Sequence, residues 1–453
     1  MANLAILGGN KTVTKPVVGE NGIVGFIPNV NEKAMATIQE LLKNGQLSVS
    51  PIVPEFEAKF KEYIGAKFAL CQCSGTMSIQ AGLFAMGIGR GDEVIVPSFT
   101  FFASATPILT LGGVPVFADV DKDTHCITAE EIEKKITPKT KAIVIVHVWG
   151  NPCDMDAIMA VAKKHNLKVL EDCSHAHGAE WNGKKIGSFG DVGVFSFQGE
   201  KLMASGEGGI LVTSDEEIIF RAAALGSYER LGGQTFLSSD ELASRNGLPN
   251  IHSTYRGTAL GMKLRPYPVS IAIAASELER LDERNAIRNA NAKYLDKCLS
   301  DIDCIIPLKT LDPAERVYSY HYMRYDADLN NGIMRQTFLK AMAAEGVAIG
   351  SCGYGALHYA PAFTQLDGNW PQCYPNAPEK DAPSLPVTEM LRQSAFMAGP
   401  RFEDPNSKEV IEQYAEAYHK VISSTDEMLQ YQKENYEELA AAQAQTGRSR
   451  NML

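Results

Sequence analysis

Ser196-Phe-Gln-Gly-Glu-Lys201, followed by Gly206-Glu-Gly-Gly209, is the stretch that decides how this chain is read. It sets one lysine between a hydroxyl at the end of an apolar segment and a glycine turn. Residues 192–197 and 209–213 read as strands on either side of it. Upstream, the pattern alternates. Strand 68–73 precedes helix 76–86, strand 93–96 precedes helix 101–110, and strand 114–120 precedes a helix through Ile136 that opens on the capping signature Thr128-Ala-Glu-Glu131. Strand 141–148, helix 154–165 and strand 167–172 follow. Strands that alternate with helices and are apolar throughout predict a sheet covered on both faces. Ligands of such sheets sit beyond the carboxyl ends of the strands. Ser74, Pro97-Ser-Phe-Thr-Phe101, Asp172 and Lys201 all fall just beyond predicted strand ends. Four candidates therefore converge on one edge of one sheet.

Bulk properties narrow the class. The chain has 453 residues, a net charge of −11 and 45% hydrophobic residues. That is enough for two domains with substantial cores. The acidic balance argues against nucleic-acid or anionic-membrane partners. No run is long enough to span a bilayer, and the N-terminus lacks the pattern of a signal peptide. The nine cysteines are irregularly spaced and read as reduced thiols of a cytoplasmic protein. Cys71-Gln-Cys73 has no second pair to complete a zinc site, so no metal is expected.

Each candidate residue has a chemical and an ordinary reading. A buried lysine such as Lys201 has a lowered pKa and can condense with a carbonyl, whereas most lysines are surface residues with solvated heads. Asp172 caps a helix or, beside a pyridine ring, keeps the ring nitrogen protonated. Ser74-Gly-Thr76 is a plain helix cap or a phosphate cup of free N–H groups at a positive dipole end. Phe101 is a core aromatic or stacks on a cofactor ring. His175 lies in the core or beside the ring, and His147 reads as core. A lysine, an aspartate at a strand end and a phosphate cup are together what a protein needs to hold pyridoxal 5'-phosphate.

Beyond the alternating region, residues 226–258 read as a polar surface segment and 268–300 as one long helix bridging to a second domain. Residues 317–325 are strand-like, 331–344 and 406–422 helical, and 350–402 dominated by loops. His321 and Gly353-Tyr-Gly355 read as structural rather than as substrate contacts. The last thirty residues read as a surface helix that frays. The domains predicted are 1–285 (with the N-terminal arm), 286–425, and a tail 426–453.

Gly91-Asp-Glu-Val-Ile-Val-Pro-Ser98, Pro115-Val-Phe-Ala-Asp119, Glu171-Asp172, Gly190-Asp191, Phe195-Ser-Phe197 and Gly206-Glu-Gly-Gly209 resemble the DegT/DnrJ/EryC1/StrS family of sugar aminotransferases from about residue 5 to 422. The resemblance implies an α/β protein of fold type I among pyridoxal-phosphate enzymes, with a mostly parallel sheet in a large domain and a smaller α+β C-terminal domain. It implies a homodimer with active sites at the interface. The family's Schiff-base lysine falls on Lys201, its pyridinium partner on Asp172, and its phosphate ligands on Gly75, Thr76 and Ser196. Its stacking aromatic falls on Phe101, and the residue near the ring oxygen on His175. Relatives that dehydrate sugars carry histidine in place of the lysine, so Lys201 favours amino transfer. One motif departs from the pattern. Gly261-Met-Lys-Leu-Arg265 stands where the family has Gly-Tyr-Asn-Tyr-Arg, which puts Lys263 where an asparagine reaches the partner's phosphate.

The expected activity is transfer of an amino group from L-glutamate or L-glutamine to a keto-sugar or keto-cyclitol. The Ser196-Phe-Gln198 form resembles the cyclitol and aminohydroxybenzoate branch. A lyase or aromatising synthase of the aminohydroxybenzoate type is the alternative on the same cofactor, and a non-catalytic regulatory protein is the alternative of another class.

Overall fold

The computed structural model describes residues 3–17, 30–227, 260, 262–370 and 382–445. Among the described residues, nine strands lie in the first half: β1 (Phe68–Gln72), β2 (Glu93–Pro97), β3 (Val114–Ala118), β4 (Thr140–Val146), β5 (Lys168–Asp172), β6 (Glu180–Trp181), β7 (Lys184–Lys185), β8 (Val192–Ser196) and β9 (Gly209–Thr213). Seven of them form one sheet in the order β1-β9-β8-β5-β4-β2-β3. The pairs β2–β3, β2–β4, β4–β5 and β5–β8 are parallel, while β9 runs antiparallel to both β8 and β1. The carboxyl ends of β1, β2, β4, β5 and β8 therefore open on the same edge.

Both faces of this sheet are dry. Ile95, Ile143, Ile145, Val169, Phe195 and Ile210 face one apolar cluster. Val94, Val144, Leu170, Val194 and Leu211 face the other. Covering helices on both sides explain why the strands read as continuous apolar runs rather than alternating ones. Beneath the lysine-bearing stretch, helix Ile52–Ile64 supplies Phe56 and Phe60. Their rings meet Phe197 and Phe195 edge-on at 5.6 and 5.0 Å, a geometry that adds electrostatic attraction to apolar burial.

A second, antiparallel sheet has the order β10 (Ile305–Pro307), β12 (His321–Tyr325), β14 (Ala395–Gly399), β13 (Gly350–Ser351). A small sheet joins β11 (Ala314–Glu315) to the β6–β7 hairpin. The second sheet has its own core, including Phe338, Phe396, Ile411 and Tyr418.

Several expectations need revision. The helix predicted over 268–300 is two helices, Pro268–Leu278 and Leu281–Cys298, broken at Glu279 and Arg280. The region 350–402 holds helix Pro386–Ser394 and strand β14. The predicted helix 101–110 is a single turn at Phe102–Ser104 and then Thr106–Thr110. The tail forms two helices, Thr425–Glu434 and Tyr436–Gln445. Most of the segment 226–258 lies outside the described residues.

Candidate functional site

The cup forms where β1 turns into helix Gly75–Ala85. The Ser74 side chain accepts from the Met77 N–H at 3.2 Å, so the cap reading holds. The first N–H groups of a helix lack intrahelical acceptors and form a ready anion site. Gly75 is required here: a Cβ would lie 2.7 Å from the Cβ of Ser196. Its absence lets Ser196 sit against the helix start, with Thr76 half-buried beside it. Gly209 has a related role, since a Cβ there would lie 2.4 Å from the Ser74 carbonyl carbon. This glycine thus serves the approach of β9 to the cup.

Asp172 ends β5. Its Oδ2 accepts from Ser104 Oγ at 2.7 Å and its Oδ1 from the Ser174 N–H at 3.1 Å. A carboxylate accepts about four hydrogen bonds, so Asp172 keeps lone pairs in reserve. Ser104 is in turn 3.2 Å from Thr100 Oγ1.

Lys201 lies beyond β8, half-buried, with Nζ 3.1 Å from His175 Nε2. Tyr354 Oη is also 3.1 Å from His175 Nε2. Burial lowers the Lys201 pKa to about 8; the charge of Arg401 lowers it further, while Asp172 and Glu200 oppose that shift. Burial also holds His175 well below its ordinary range, helped by the charges of Lys201 and Arg401. His175 is therefore neutral. Its Nδ1 lies 3.3 Å from the Trp149 N–H, which only donates. Nδ1 is then the lone-pair nitrogen and Nε2 carries the proton. An Nε2–H can donate to Tyr354 Oη, or to Lys201 when its amine is free, since an ammonium has no lone pair.

The structure thus brings Gly75, Thr76, Asp172, His175, Ser196 and Lys201 to one edge. Phe101 is half-buried beside it, 6.2 Å ring to ring from Tyr354. Lys263 is exposed. Its neighbour Leu264 is laced to the cup's rim, accepting from the Cys73 N–H at 2.7 Å and donating to the Gly226 carbonyl at 3.0 Å.

Three side chains were missed. Trp149, at φ 59°, is buried and stacks on His175 at 5.6 Å and on Tyr354 at 4.6 Å. Tyr354, read as structural, touches His175. Arg401 follows β14 and reaches the main chain of Glu200 and Lys201. A Trp beyond a strand end carried a signal that the sequence reading passed over; the Gly353-Tyr-Gly355 turn was noticed but read as structural, and Arg401, which follows β14, carried none. His321 lies 2.7 Å from Asp296.

Behind Asp172, the ligand atoms of His147, Glu171 and Cys173 lie within 4.8 Å of one another. The Glu171 carboxylate accepts the N–H groups of Gly187, Phe189 and Gly190 at 2.7–2.8 Å and is 3.3 Å from His147 Nε2. His147 Nδ1 accepts from the Cys153 N–H at 3.1 Å. These donors and acceptors are committed to one another and make a structural network.

Residues 28–396 match the model of the DegT/DnrJ/EryC1/StrS aminotransferase family. The L-glutamine:2-deoxy-scyllo-inosose aminotransferase of Streptoalloteichus tenebrarius is 34% identical over 74% of this chain and 80% of its own length. The solved structure of an aminotransferase from Psychrobacter cryohalolentis superposes with a TM-score of 0.75 at 28% identity, covering 88% of this chain and 99% of that one. That of a 3-amino-5-hydroxybenzoic acid synthase superposes with a TM-score of 0.73 at 27% identity, covering 88% and 98%.

Proposed function

The chain belongs to the DegT/DnrJ/EryC1/StrS aminotransferase family, and we propose that it moves an amino group from L-glutamine or L-glutamate to a keto-cyclitol or keto-sugar with pyridoxal phosphate as cofactor. Its fold is fold type I of the pyridoxal-phosphate enzymes. The observation that carries the reading is the half-buried Lys201 amine, its pKa lowered to about 8 and its Nζ 3.1 Å from His175 Nε2.

The residues fit the cofactor. The glycine at 75 opens the helix start to the Ser196 hydroxyl, so Gly75, Thr76 and Ser196 would hold the phosphate. Asp172, with acceptor capacity in reserve, would hold the ring nitrogen. Phe101 would cover the ring face, and His175 would lie near the ring oxygen. When bound, pyridoxal phosphate supplies an aldehyde that captures amines and a protonated ring that accepts electrons from the reacting carbon.

The chain's own groups do the rest. Lys201 takes the proton from the donor's reacting carbon as a free amine and returns it as an ammonium. At pH 7 a lysine of pKa 8 is free about one time in ten, against about one in three thousand for an ordinary lysine. Ser104 and the Ser174 N–H fix the orientation of the Asp172 carboxylate. Trp149 holds the His175 tautomer.

Cyclitol acceptors and glutamine as donor are favoured by the named activity of the Streptoalloteichus relative. A synthase acting on the same cofactor is the second reading, favoured by the likeness to the aminohydroxybenzoic acid synthase. Incubation with glutamine and a keto-cyclitol, followed by product mass analysis, separates them: an amino-cyclitol supports transfer, and an aromatic product overturns it.

A homodimer is the proposed assembly. Met35, Leu42 and Val49 are exposed apolar side chains along one stretch, and Phe102, Met262 and Tyr267 are exposed near the edge that carries the site. Such surface suits a partner subunit, towards whose phosphate Lys263 would extend. No helix among the described residues is long and apolar enough to cross a membrane. The described cysteines are free, which suits the reducing cytoplasm.

A further inference from the structure

We propose that Arg401 is a positioning residue for the reaction: from the second sheet it holds the main chain of Glu200 and Lys201 and so sets where the lysine amine stands. This rests on the reading of Lys201 as the reacting amine. Arg401 follows β14 and reaches across to the lysine-bearing turn. Its Nη2 donates to the Glu200 carbonyl and its Nη1 to the Lys201 carbonyl at 3.4 Å, while Nε donates to the Ser319 carbonyl at 2.5 Å. One planar fork thus joins consecutive carbonyls of the turn to the chain just before β12. The guanidinium lies over the Tyr320 ring at 5.0 Å. Tyr320 Oη is 3.4 Å from Glu200 Oε2, and its ring meets His175 edge-on at 5.5 Å.

The geometry suits arginine and not lysine. A point-charge ammonium on a flexible stem does not hold three carbonyls in fixed directions, whereas the guanidinium fork does. The turn needs such a hold. Lys201 lies between Gly199 and Gly206, outside any helix or strand. Nearby, the Lys201 N–H donates to the Gln198 carbonyl at 2.8 Å and the Ser205 N–H to the Phe197 carbonyl at 2.8 Å.

The same placement has an electrostatic effect. Glu403, Glu200 and Tyr320 lie close enough to temper the Arg401 charge, and what the amine feels of it still disfavours the ammonium. The groups acting on Lys201 are Asp172 from β5, His175 and His177 beyond it, Glu200 on its own turn, and Arg401 from the second sheet. Both histidines are held neutral by burial. Asp172 and Glu200 favour the ammonium, and Arg401 opposes it.

The test uses the full-length protein and the variants Arg401→Gln and Arg401→Lys. The first readout is the pH at which Lys201 becomes reactive to trace acetic anhydride in protein freed of cofactor, followed by peptide mass analysis. Arg401→Gln should raise that midpoint by about one pH unit, and Arg401→Lys should leave it close to wild type. The second readout is steady-state kinetics. Arg401→Gln should lower kcat about tenfold or more with KM for glutamine within about twofold, and Arg401→Lys should lower kcat by a smaller factor. An unchanged midpoint and kcat in Arg401→Gln overturns the proposal. So does a rise in KM for glutamine alone, which would make Arg401 a substrate contact. If Arg401→Gln does not fold, Arg401→Lys decides: a wild-type kcat overturns the proposal, and a lowered kcat with a wild-type midpoint supports it. The labelling does not depend on the cofactor. A wild-type protein that gains no visible absorption band with pyridoxal phosphate would therefore sink the functional reading separately.

Discussion

Glu171 and Asp172 are neighbours on one strand, and their side chains leave opposite faces of it. Glu171 is saturated: three N–H groups of the 187–190 turn and a histidine close around it. Asp172 accepts from one hydroxyl and one N–H and keeps capacity for a ligand. The first carboxylate builds the site's foundation, and the second is the one we propose for its chemistry. A buried acid is thus sorted by how many of its lone pairs the fold has already used, since an unmet buried charge is costly unless something else completes it.

The sharpest way to break this contrast starts from Lys201, the group Asp172 should serve. Lys201→Ala should cut turnover by about 10³-fold or more while thermal unfolding stays close to wild type. Asp172→Asn should cost about 2–3 kcal/mol of transition-state stabilisation, or on the order of 10²-fold in kcat/KM, again with little change in unfolding. Glu171→Gln should do the reverse: urea unfolding should lose about 2–4 kcal/mol, with kcat of the folded fraction within about threefold of wild type. If Asp172→Asn unfolds the protein and Glu171→Gln inactivates it, the assignments are exchanged.

The pH dependence sharpens the same picture. The pKa of Lys201 is about 8 in the fold against 10.5 ordinarily, so the free amine accumulates as pH rises through about 8. The rate limb governed by this amine should rise roughly tenfold per unit below that value. In stability the sign is that of a depressed cation: the cost of burying the ammonium is fully present below about 8 and fades as pH climbs towards 10.5. A kcat/KM profile flat from pH 6 to about 9 would count against it. The smallest effect is expected of Ser104→Ala, which removes one of the two donors that orient Asp172. A loss of tenfold or less in kcat is expected.

The large sheet was legible in the sequence because its strands, edge strand β3 apart, are largely buried on both faces and read as apolar runs bounded by turns. Ser74, Asp172, Ser196 and Lys201 stood out as candidates because they stand at or just past the ends of such runs. The second sheet was legible only in part. β12 lies within the strand-like 317–325, but Ala395-Phe-Met-Ala-Gly399 falls in the loop-rich 350–402, and its pairing with β12 across more than seventy residues is announced by no local period. The helix predicted over 268–300 failed for a different reason: apolar spacing continues through Glu279 and Arg280 although the backbone turns there. Tyr354 and Arg401 reach Lys201 and His175 only through tertiary packing, which one sequence does not display.

That dependence has a practical outcome for how the protein would fail. Lys201 and His175 stand on the first sheet, whereas the tyrosine and the arginine that touch them are delivered by the second. Mild denaturant that lets the two sheets drift by an ångström or so would silence the enzyme while its circular dichroism still looked native, so the inactivation midpoint would come before the melting of either layer.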